Sequence, residues 1–218
     1  MTREDAWFET RSAEWDTFKR AQRAADMQRD YILRHGDTIA NEVDVYRGWG
    51  AYKLDDEGIK HATAAANFLK NKFDIKRIVS GTLPRQKQTA KIVAKVLGVD
   101  LTYDDGFKTL NVGDFTGKKR NDNADKLQKY LDAPDTQIPG GESIVEFTKR
   151  SNTAFKKAQA FGGDSLVVTS RSNIFALMDA PTDKKVALAS PGGIYELTST
   201  NTLKQIFGKD NTDTLAGS

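Results

Sequence analysis

The segment Tyr31-Ile-Leu-Arg34-His35-Gly36 begins as a short apolar run and ends in charged and small residues. Two later segments change in the same way, Lys76-Arg-Ile-Val-Ser80 and Ser165-Leu-Val-Val-Thr-Ser170. Short apolar runs followed by longer helical stretches are typical of parallel strands joined by helices. Because ligands of open α/β sheets lie beyond the carboxyl ends of the strands, we expect the polar residues that end these runs to converge on one site.

The rest of the sequence pattern predicts the fold class. Helical periodicity alternates with short β-rich runs, and the predicted helices are 54–72, 84–97, 121–132, 140–160 and 174–178. Leu101-Thr-Tyr103 predicts a further strand, and the segments 193–199 and 203–207 predict a hairpin at the sheet edge. We therefore predict an α/β fold, a three-layer sandwich with a mostly parallel central sheet and an antiparallel edge hairpin.

The first thirty residues predict an extra amphipathic helix, because Phe8, Trp15 and Phe18 recur at helical spacing with charged residues between them. Two interpretations stay open for its apolar face. The helix packs on the domain that follows, or it contacts a second copy of the chain or a partner protein. We divide the chain into this N-terminal helical extension at 1–30, a main domain at 31–208 and a flexible polar tail at 209–218.

The composition excludes several classes of protein. The 218 residues include 33 Lys and Arg against 30 Asp and Glu, without the clustered basic face that nucleic-acid binding requires. The absence of cysteine excludes a disulfide framework, a thiolate zinc site and a cysteine nucleophile. No apolar stretch approaches the roughly 20 residues of a membrane span, and the N-terminus lacks the apolar core of a signal peptide. We therefore expect no nucleic-acid or membrane partner and a cytoplasmic location.

Five motifs occur in order along the main domain, and they are specific as a set although Arg-His-Gly alone would be weak. They are Leu33–Thr38 with Asn41, Arg47–Trp49 with Leu54 and Gly58, Ser80–Ala90, Gly113–Gly117, and Pro139–Ser143. In this order and spacing, the chain resembles the histidine phosphatase superfamily, the group that contains the cofactor-dependent phosphoglycerate mutases.

The resemblance implies a site and a mechanism. His35 is the expected nucleophile, which forms a phosphohistidine that water then hydrolyses, and Arg34 and Arg85 are expected to clamp the phosphoryl oxygens. Asn41 is expected to donate a further hydrogen bond to the phosphate. The chemistry suits these side chains, because neutral imidazole is a good acceptor near pH 7 and guanidinium groups bind phosphoryl oxygens bidentately. The substrate implied is a phosphorylated small molecule, with no metal ion and no cofactor.

One departure from the family pattern affects the transition state. The family places a second histidine after the later strand, and this chain has Ser170 there. We predict that Ser170 takes this catalytic and phosphate-binding position, because its hydroxyl still donates one hydrogen bond. It carries no charge, and losing one such electrostatic partner typically costs about 10²–10³ in rate. Arg171 compensates in part if its side chain turns inward, and the sequence leaves its direction open.

A second departure affects the proton donor. Many phosphatases of the superfamily carry a glutamate where this chain has Thr109. Asp37, Asp114 and Glu142 are the candidate substitutes, and Glu142 is the best placed because it lies in a family-like Gly-Gly-Glu-Ser motif. A glutamate beside Ser143 also suits the start of a helix, so a capping role for Glu142 stays open.

Two functions remain for this pattern. The first is hydrolysis of phosphomonoesters, and the short stretch between Gly117 and Pro139 favours a hydrolase over a mutase. The second is a catalytically inactive phosphatase fold that acts as a phosphate-binding or structural module, which the replacements at 109 and 170 favour. A serine introduced deliberately at position 170 to trap a ligand would leave the same sequence.

Overall fold

The computed structural model describes residues 29–161, 164–178, 189–197 and 203–208, and these form six strands, six α-helices and two short 3₁₀ helices. The strands are β1 (Asp30–Arg34), β2 (Arg77–Ser80), β3 (Asp100–Tyr103), β4 (Ser165–Thr169), β5 (Ile194–Leu197) and β6 (Leu203–Phe207). The helices are α1 (Ile39–Glu42), α2 (Asp56–Lys72), α3 (Pro84–Leu97), α4 (Ala124–Leu131), α5 (Ile144–Gln159) and α6 (Arg171–Met178).

The strands form one sheet in the order β3-β2-β4-β1-β5-β6. The first four strands are parallel, whereas β5 pairs antiparallel with both β1 and β6. This arrangement confirms the predicted α/β fold with a mostly parallel sheet and an antiparallel edge. The predicted N-terminal helix, the hairpin turn at 200–202 and the tail at 209–218 lie outside the described residues.

Helices α2 and α3 cover one face of the sheet. The Asp55 side chain caps α2 by accepting from the Gly58 backbone N–H at 2.7 Å, and α3 begins at a proline, whose missing N–H leaves no bond unmade there. The apolar faces of these helices bury a core against alternate strand residues. Its members include Leu33, Leu69, Ile78, Val93 and Val168.

Helices α5 and α6 cover the opposite face. Ile32, Val79 and Val167 alternate with the residues of the first core and pack with Phe155 and Ile174. The two cores, one on each side of the sheet, produce the three predicted layers. A third cluster supports the segment between β3 and α5, and it consists of Leu110, Val112, Phe115, Leu127, Ile138 and Phe147.

The strand register brings the carboxyl ends of three strands to one edge. Arg34 of β1 lies opposite Thr169 of β4, and Ser80 of β2 lies opposite Val168. The polar residues that follow β1 and β4 therefore meet, as the sequence predicts. None of the described helices is long and apolar enough to cross a lipid bilayer.

Candidate active site

His35 lies directly after β1, and its position is fixed by the sheet. Its backbone N–H donates to the Thr169 carbonyl at 3.0 Å, which continues the pairing of β1 and β4 by one residue. The chain then turns away against α2 through Gly36, where a Cβ atom would lie only 2.2 Å from the Gly58 carbonyl oxygen. The glycine of the Arg-His-Gly motif is thus required by a close backbone approach beside the nucleophile candidate.

A cavity of about 190 Å³ opens over these strand ends. Its polar wall carries His35, Arg47, Arg85, Arg120, Ser170 and Arg171. Its other wall is formed by residues of the third apolar cluster and by α4. No carboxylate of the described residues lines it. A cavity with four arginines and no acid is suited to an anion, and the bidentate geometry of guanidinium groups favours a phosphoryl group.

The two ring nitrogens of His35 have different partners. Nδ1 lies 2.7 Å from the Gly36 carbonyl oxygen, which can only accept, so Nδ1 carries the proton. Nε2 consequently holds the lone pair, and it accepts a hydrogen bond from Arg85 Nε at 3.2 Å. The tautomer is therefore the one required for nucleophilic attack by Nε2.

Arg85 is held in the first turn of α3 and is 1% exposed. Its two terminal nitrogens donate to backbone carbonyls of the neighbouring loop, Nη2 to Gly48 at 2.8 Å and Nη1 to Gly50 at 3.2 Å. These bonds aim the remaining Nε–H at His35. Burial, followed by the charge of Arg47, lowers the pKa of Arg85 to about 9, so the protein holds this cation at a cost.

Arg34 lies buried beside the cavity and does not form part of its lining. One terminal nitrogen donates to the Ala189 carbonyl, while its buried Nε makes no hydrogen bond within the described part of the chain. Burial, followed by the charge of Arg47, lowers its pKa to about 9. An anion in the site would offset this unfavourable burial of positive charge.

The charge state of His35 gives a pH-dependent prediction. Burial, followed by the neighbouring Arg85, holds its pKa well below the ordinary 6.5, so the native protein does not protonate it as the unfolded chain does. The free energy of unfolding should therefore lose about 1.4 kcal/mol per pH unit from this group below pH 6.5. Urea unfolding of the parent and of His35→Asn, at about pH 8 and about pH 5.5, measures how much of the pH-dependent loss in unfolding free energy comes from His35. Equal losses in both proteins would contradict a neutral buried His35.

Ser170, which we predicted to take the position of the family's second histidine, lies in the cavity lining. Its Oγ accepts a hydrogen bond from Gln86 Nε2 at 3.1 Å, and the same amide donates to the Phe107 carbonyl at 2.7 Å. Gln86 is fully buried and belongs to the first turn of α3. The bond to Gln86 fixes the hydroxyl oxygen at the cavity wall and leaves the hydroxyl proton for another acceptor.

Thr109, which stands at the family's acid position, also lines the cavity. Its hydroxyl lies 2.6 Å from the Ser172 hydroxyl, and Ser172 Oγ in turn accepts from the Leu110 backbone N–H at 3.3 Å. This pair of hydroxyl groups ties the segment after β3 to the start of α6. Neither hydroxyl is an acid near neutral pH, so these two side chains do not replace a carboxyl proton donor.

Asn41 lies outside the cavity lining, in the short helix α1. Its Nδ2 donates to Asp37 and its Oδ1 accepts from Arg47, so its polar groups are used within this cluster. The structure therefore does not bring Asn41 to the cavity as a direct hydrogen-bond donor, and Arg47 takes the place at the wall. Asn41 instead holds the Arg47 guanidinium.

Glu142 is not brought together with His35. Its carboxylate forms a two-point contact with Arg150, Nε to Oε2 at 2.7 Å and Nη2 to Oε1 at 2.5 Å, and also accepts from the Asn111 backbone N–H at 2.7 Å. It precedes α5, whose capping box is formed by Ser143 and Glu146. The geometry gives Glu142 a structural role between α5 and the segment after β3. Asp37 and Asp114 lie outside the cavity lining as well.

Several cavity residues are not among the predicted site residues. Arg47 and Arg120 lie in segments without helical or strand periodicity, so no local pattern indicated the direction of their side chains. Arg171 turns inward, which answers the question that its position after a strand left open. Gln86 lies behind the wall rather than in it, and its neighbours Arg85 and Lys87 gave no sign in the sequence that its side chain is buried.

The sequence was also compared with models of known protein families. A model of the histidine phosphatase superfamily (branch 1) matches residues 31–210. The chain belongs to this superfamily. A curated relative, "Probable phosphoglycerate mutase GpmB" of Yersinia pestis (strain Pestoides F), is 29% identical over 129 residues, which are 57% of this chain and 60% of the relative. The matched region thus spans about 60% of the length of the curated relatives.

Solved structures show the same superfamily fold. An α-ribazole phosphatase from Shigella flexneri matches with a TM-score of 0.66 at 19% identity, over 84% of this chain and 97% of that one. A mycobacterial glucosyl-3-phosphoglycerate phosphatase in complex with VO₃ matches with a TM-score of 0.65 at 22% identity, over 82% and 96%. These identities establish the fold alone. Membership of the histidine phosphatase superfamily supports a phosphatase-type function.

Proposed function

We propose that this protein is a phosphomonoester hydrolase that works through a phosphohistidine on His35, with slow turnover. The observation that carries the proposal is the orientation of His35: its Nδ1 is committed to the Gly36 carbonyl, and its Nε2 belongs to a cavity that the described residues line with four arginines and no carboxylate. The superfamily assignment supports the same chemistry.

In the first step, the Nε2 lone pair attacks phosphorus and the bond to the leaving oxygen breaks, with its electron pair staying on that oxygen. The Arg85 Nε–H donates to His35 Nε2 in the structure, and in this step it donates to a phosphoryl oxygen instead. In the second step, water attacks phosphorus and releases a proton to solvent, the P–N bond breaks and Nε2 regains its lone pair. Since no carboxyl group of the described residues lines the cavity, a solvent water supplies the proton for the leaving oxygen, and this limits the first step.

A second function, phosphate binding without turnover, is favoured by one observation. Apart from His35, the described cavity wall holds hydroxyl groups and guanidinium groups, and none of these is a general acid near neutral pH. In that case the arginines bind a phosphorylated ligand and His35 serves as a hydrogen-bond acceptor only.

Trapping the covalent intermediate tests the proposal. The protein is incubated with p-nitrophenyl phosphate and a chelator, quenched in alkali and digested, because phosphohistidine survives alkali and is destroyed by acid. We expect chelator-insensitive release of nitrophenol and an acid-labile phosphoryl group on the peptide that contains His35. Phosphorylation elsewhere, or activity that requires added divalent metal, would contradict the mechanism.

Oxyanions are expected to stabilise the fold, because they offset the burial of Arg34 and Arg85. At about 100 times Kd, the linkage adds about 2.7 kcal/mol to the free energy of unfolding. Thermal unfolding with and without orthovanadate measures the shift, and Arg85→Ala should remove most of it. The matched control is Arg29→Ala, which removes the same charge from the opposite end of β1. A melting temperature insensitive to vanadate in the parent would contradict the predicted pocket.

A further inference from the structure

Gln86 is a buried polar residue that the proposed mechanism does not use. It lies in the first turn of α3, behind the cavity wall and outside its lining. The backbone holds both ends of its amide, because Oε1 accepts from the Leu83 N–H at 3.2 Å and Nε2 donates to the Phe107 carbonyl at 2.7 Å. An N–H only donates and a carbonyl only accepts, so these two contacts fix which end of the amide carries the NH₂ group.

The second N–H of this amide is directed at Ser170, whose Oγ lies 3.1 Å from Gln86 Nε2. A serine directly before a helix commonly uses its hydroxyl to cap that helix. Here the Asn173 N–H in the first turn of α6 donates to the Ser170 backbone carbonyl at 3.1 Å, and the hydroxyl is turned toward Gln86. The Ser170 side chain is therefore held by α3 rather than used by its own helix.

The contact with Gln86 sets the direction in which Ser170 can donate. A hydroxyl oxygen that accepts from one donor directs its own proton away from that donor. Within the described part of the chain, no acceptor takes this proton, and Ser170 lines the same cavity as His35. A phosphoryl oxygen bound beside His35 is such an acceptor, and its charge strengthens the hydrogen bond.

We propose that Gln86 is a positioning residue for phosphoryl transfer to His35, which holds the Ser170 hydroxyl so that its proton is donated to the phosphoryl group. This inference rests on the proposed function, because it concerns the same cavity and the same step. Gln86 does not line the cavity, so its influence on a bound anion must pass through the Ser170 hydroxyl. A purely structural role of Gln86 would not depend on that hydroxyl.

A double-mutant cycle measures this dependence. The four proteins are the parent, Gln86→Met, Ser170→Ala and the variant with both changes, and methionine matches the length of glutamine without its amide. Calorimetry gives Kd for orthovanadate, and hydrolysis of p-nitrophenyl phosphate gives kcat/KM. The matched control is Gln88→Met in both backgrounds, because Gln88 also lies in α3, accepts from the Leu54 backbone N–H at 2.7 Å and lies outside the cavity lining.

We expect Ser170→Ala to weaken vanadate binding and to lower kcat/KM about tenfold, and Gln86→Met to do so about fivefold. In the Ser170→Ala background, Gln86→Met should change both quantities less than about twofold, whereas Gln88→Met should have the same effect in both backgrounds. An equal effect of Gln86→Met in both backgrounds overturns the proposal, as does a Ser170→Ala variant that binds vanadate like the parent.

A second measurement requires no change at position 86. In the parent, the NMR signals of the Gln86 side-chain amide should shift when vanadate binds, because the new hydrogen bond from Ser170 polarises the one that Ser170 accepts. In Ser170→Ala the same signals should stay in place, and a signal that does not shift in the parent overturns the proposal. Coupling between the two residues without a phosphohistidine would refute the proposed hydrolysis and leave the hydrogen-bond assignment standing. A phosphohistidine without coupling would refute the role of Gln86 alone.

Discussion

His35→Ala should abolish phosphomonoesterase activity, down to the rate of the uncatalysed reaction. Of the chain's two histidines only His35 lines the cavity, and the chain has no cysteine, so no second imidazole and no thiolate is available there as a phosphoryl acceptor. Hydrolysis of p-nitrophenyl phosphate, measured with a chelator present, gives the result. His61→Gln is the matched control, because His61 lies outside the cavity lining, half-buried beside Asp37 and Glu57.

The control variant should keep the activity of the parent. Activity that survives His35→Ala would place the chemistry elsewhere and refute the mechanism. A loss that occurs equally in both histidine variants would indicate a contribution from stability, and the melting temperature of each variant separates that case.

Ser170→His should raise the turnover rate by at least tenfold, which corresponds to about 1.4 kcal/mol of barrier. Ser170 lines the cavity at the end of β4, so an imidazole at this position would reach the space over His35 and add a donor that can carry charge. The expected gain is in kcat more than in KM, because charge develops on the phosphoryl oxygens mainly in the transition state.

Ser170→Asn is the matched control for this gain. Asparagine adds a neutral donor of intermediate size and cannot carry a positive charge, so it should leave the rate within a few-fold of the parent. A Ser170→His variant that folds, binds vanadate and shows no gain would favour the binding module over the hydrolase.

The fold was predictable because its signals are local. The apolar runs of β1, β2 and β4 are short, and each is followed by a helix. The residues of β1 are apolar in succession and pack alternately into the two cores, as expected for a strand covered on both faces. The convergence of His35 and Ser170 followed from parallel pairing alone. Arg85 followed from the family motif, and its bonds to the Gly48 and Gly50 carbonyls explain its place at the cavity wall.

The rest of the site depends on tertiary contacts. The partner of Glu142 is Arg150, two turns into the following helix, and the direction of that contact depends on how α5 packs against the segment after β3. Asn41 also depends on a tertiary contact, because its Oδ1 accepts a hydrogen bond from Arg47, which lies in a loop without periodicity. Residue type and order can indicate a cluster of functional groups, but they do not say which member turns toward the ligand.

The hydrogen bond from Arg85 Nε to His35 Nε2 has a consequence for chemical reactivity. The Arg85 N–H occupies the imidazole lone pair, so this nitrogen should react slowly with acylating and alkylating reagents. On the proposed mechanism, an oxyanion draws the guanidinium donor to itself and uncovers that lone pair, so His35 is expected to react only when an anion is bound. Diethyl pyrocarbonate should therefore label His35 more slowly than it labels His61.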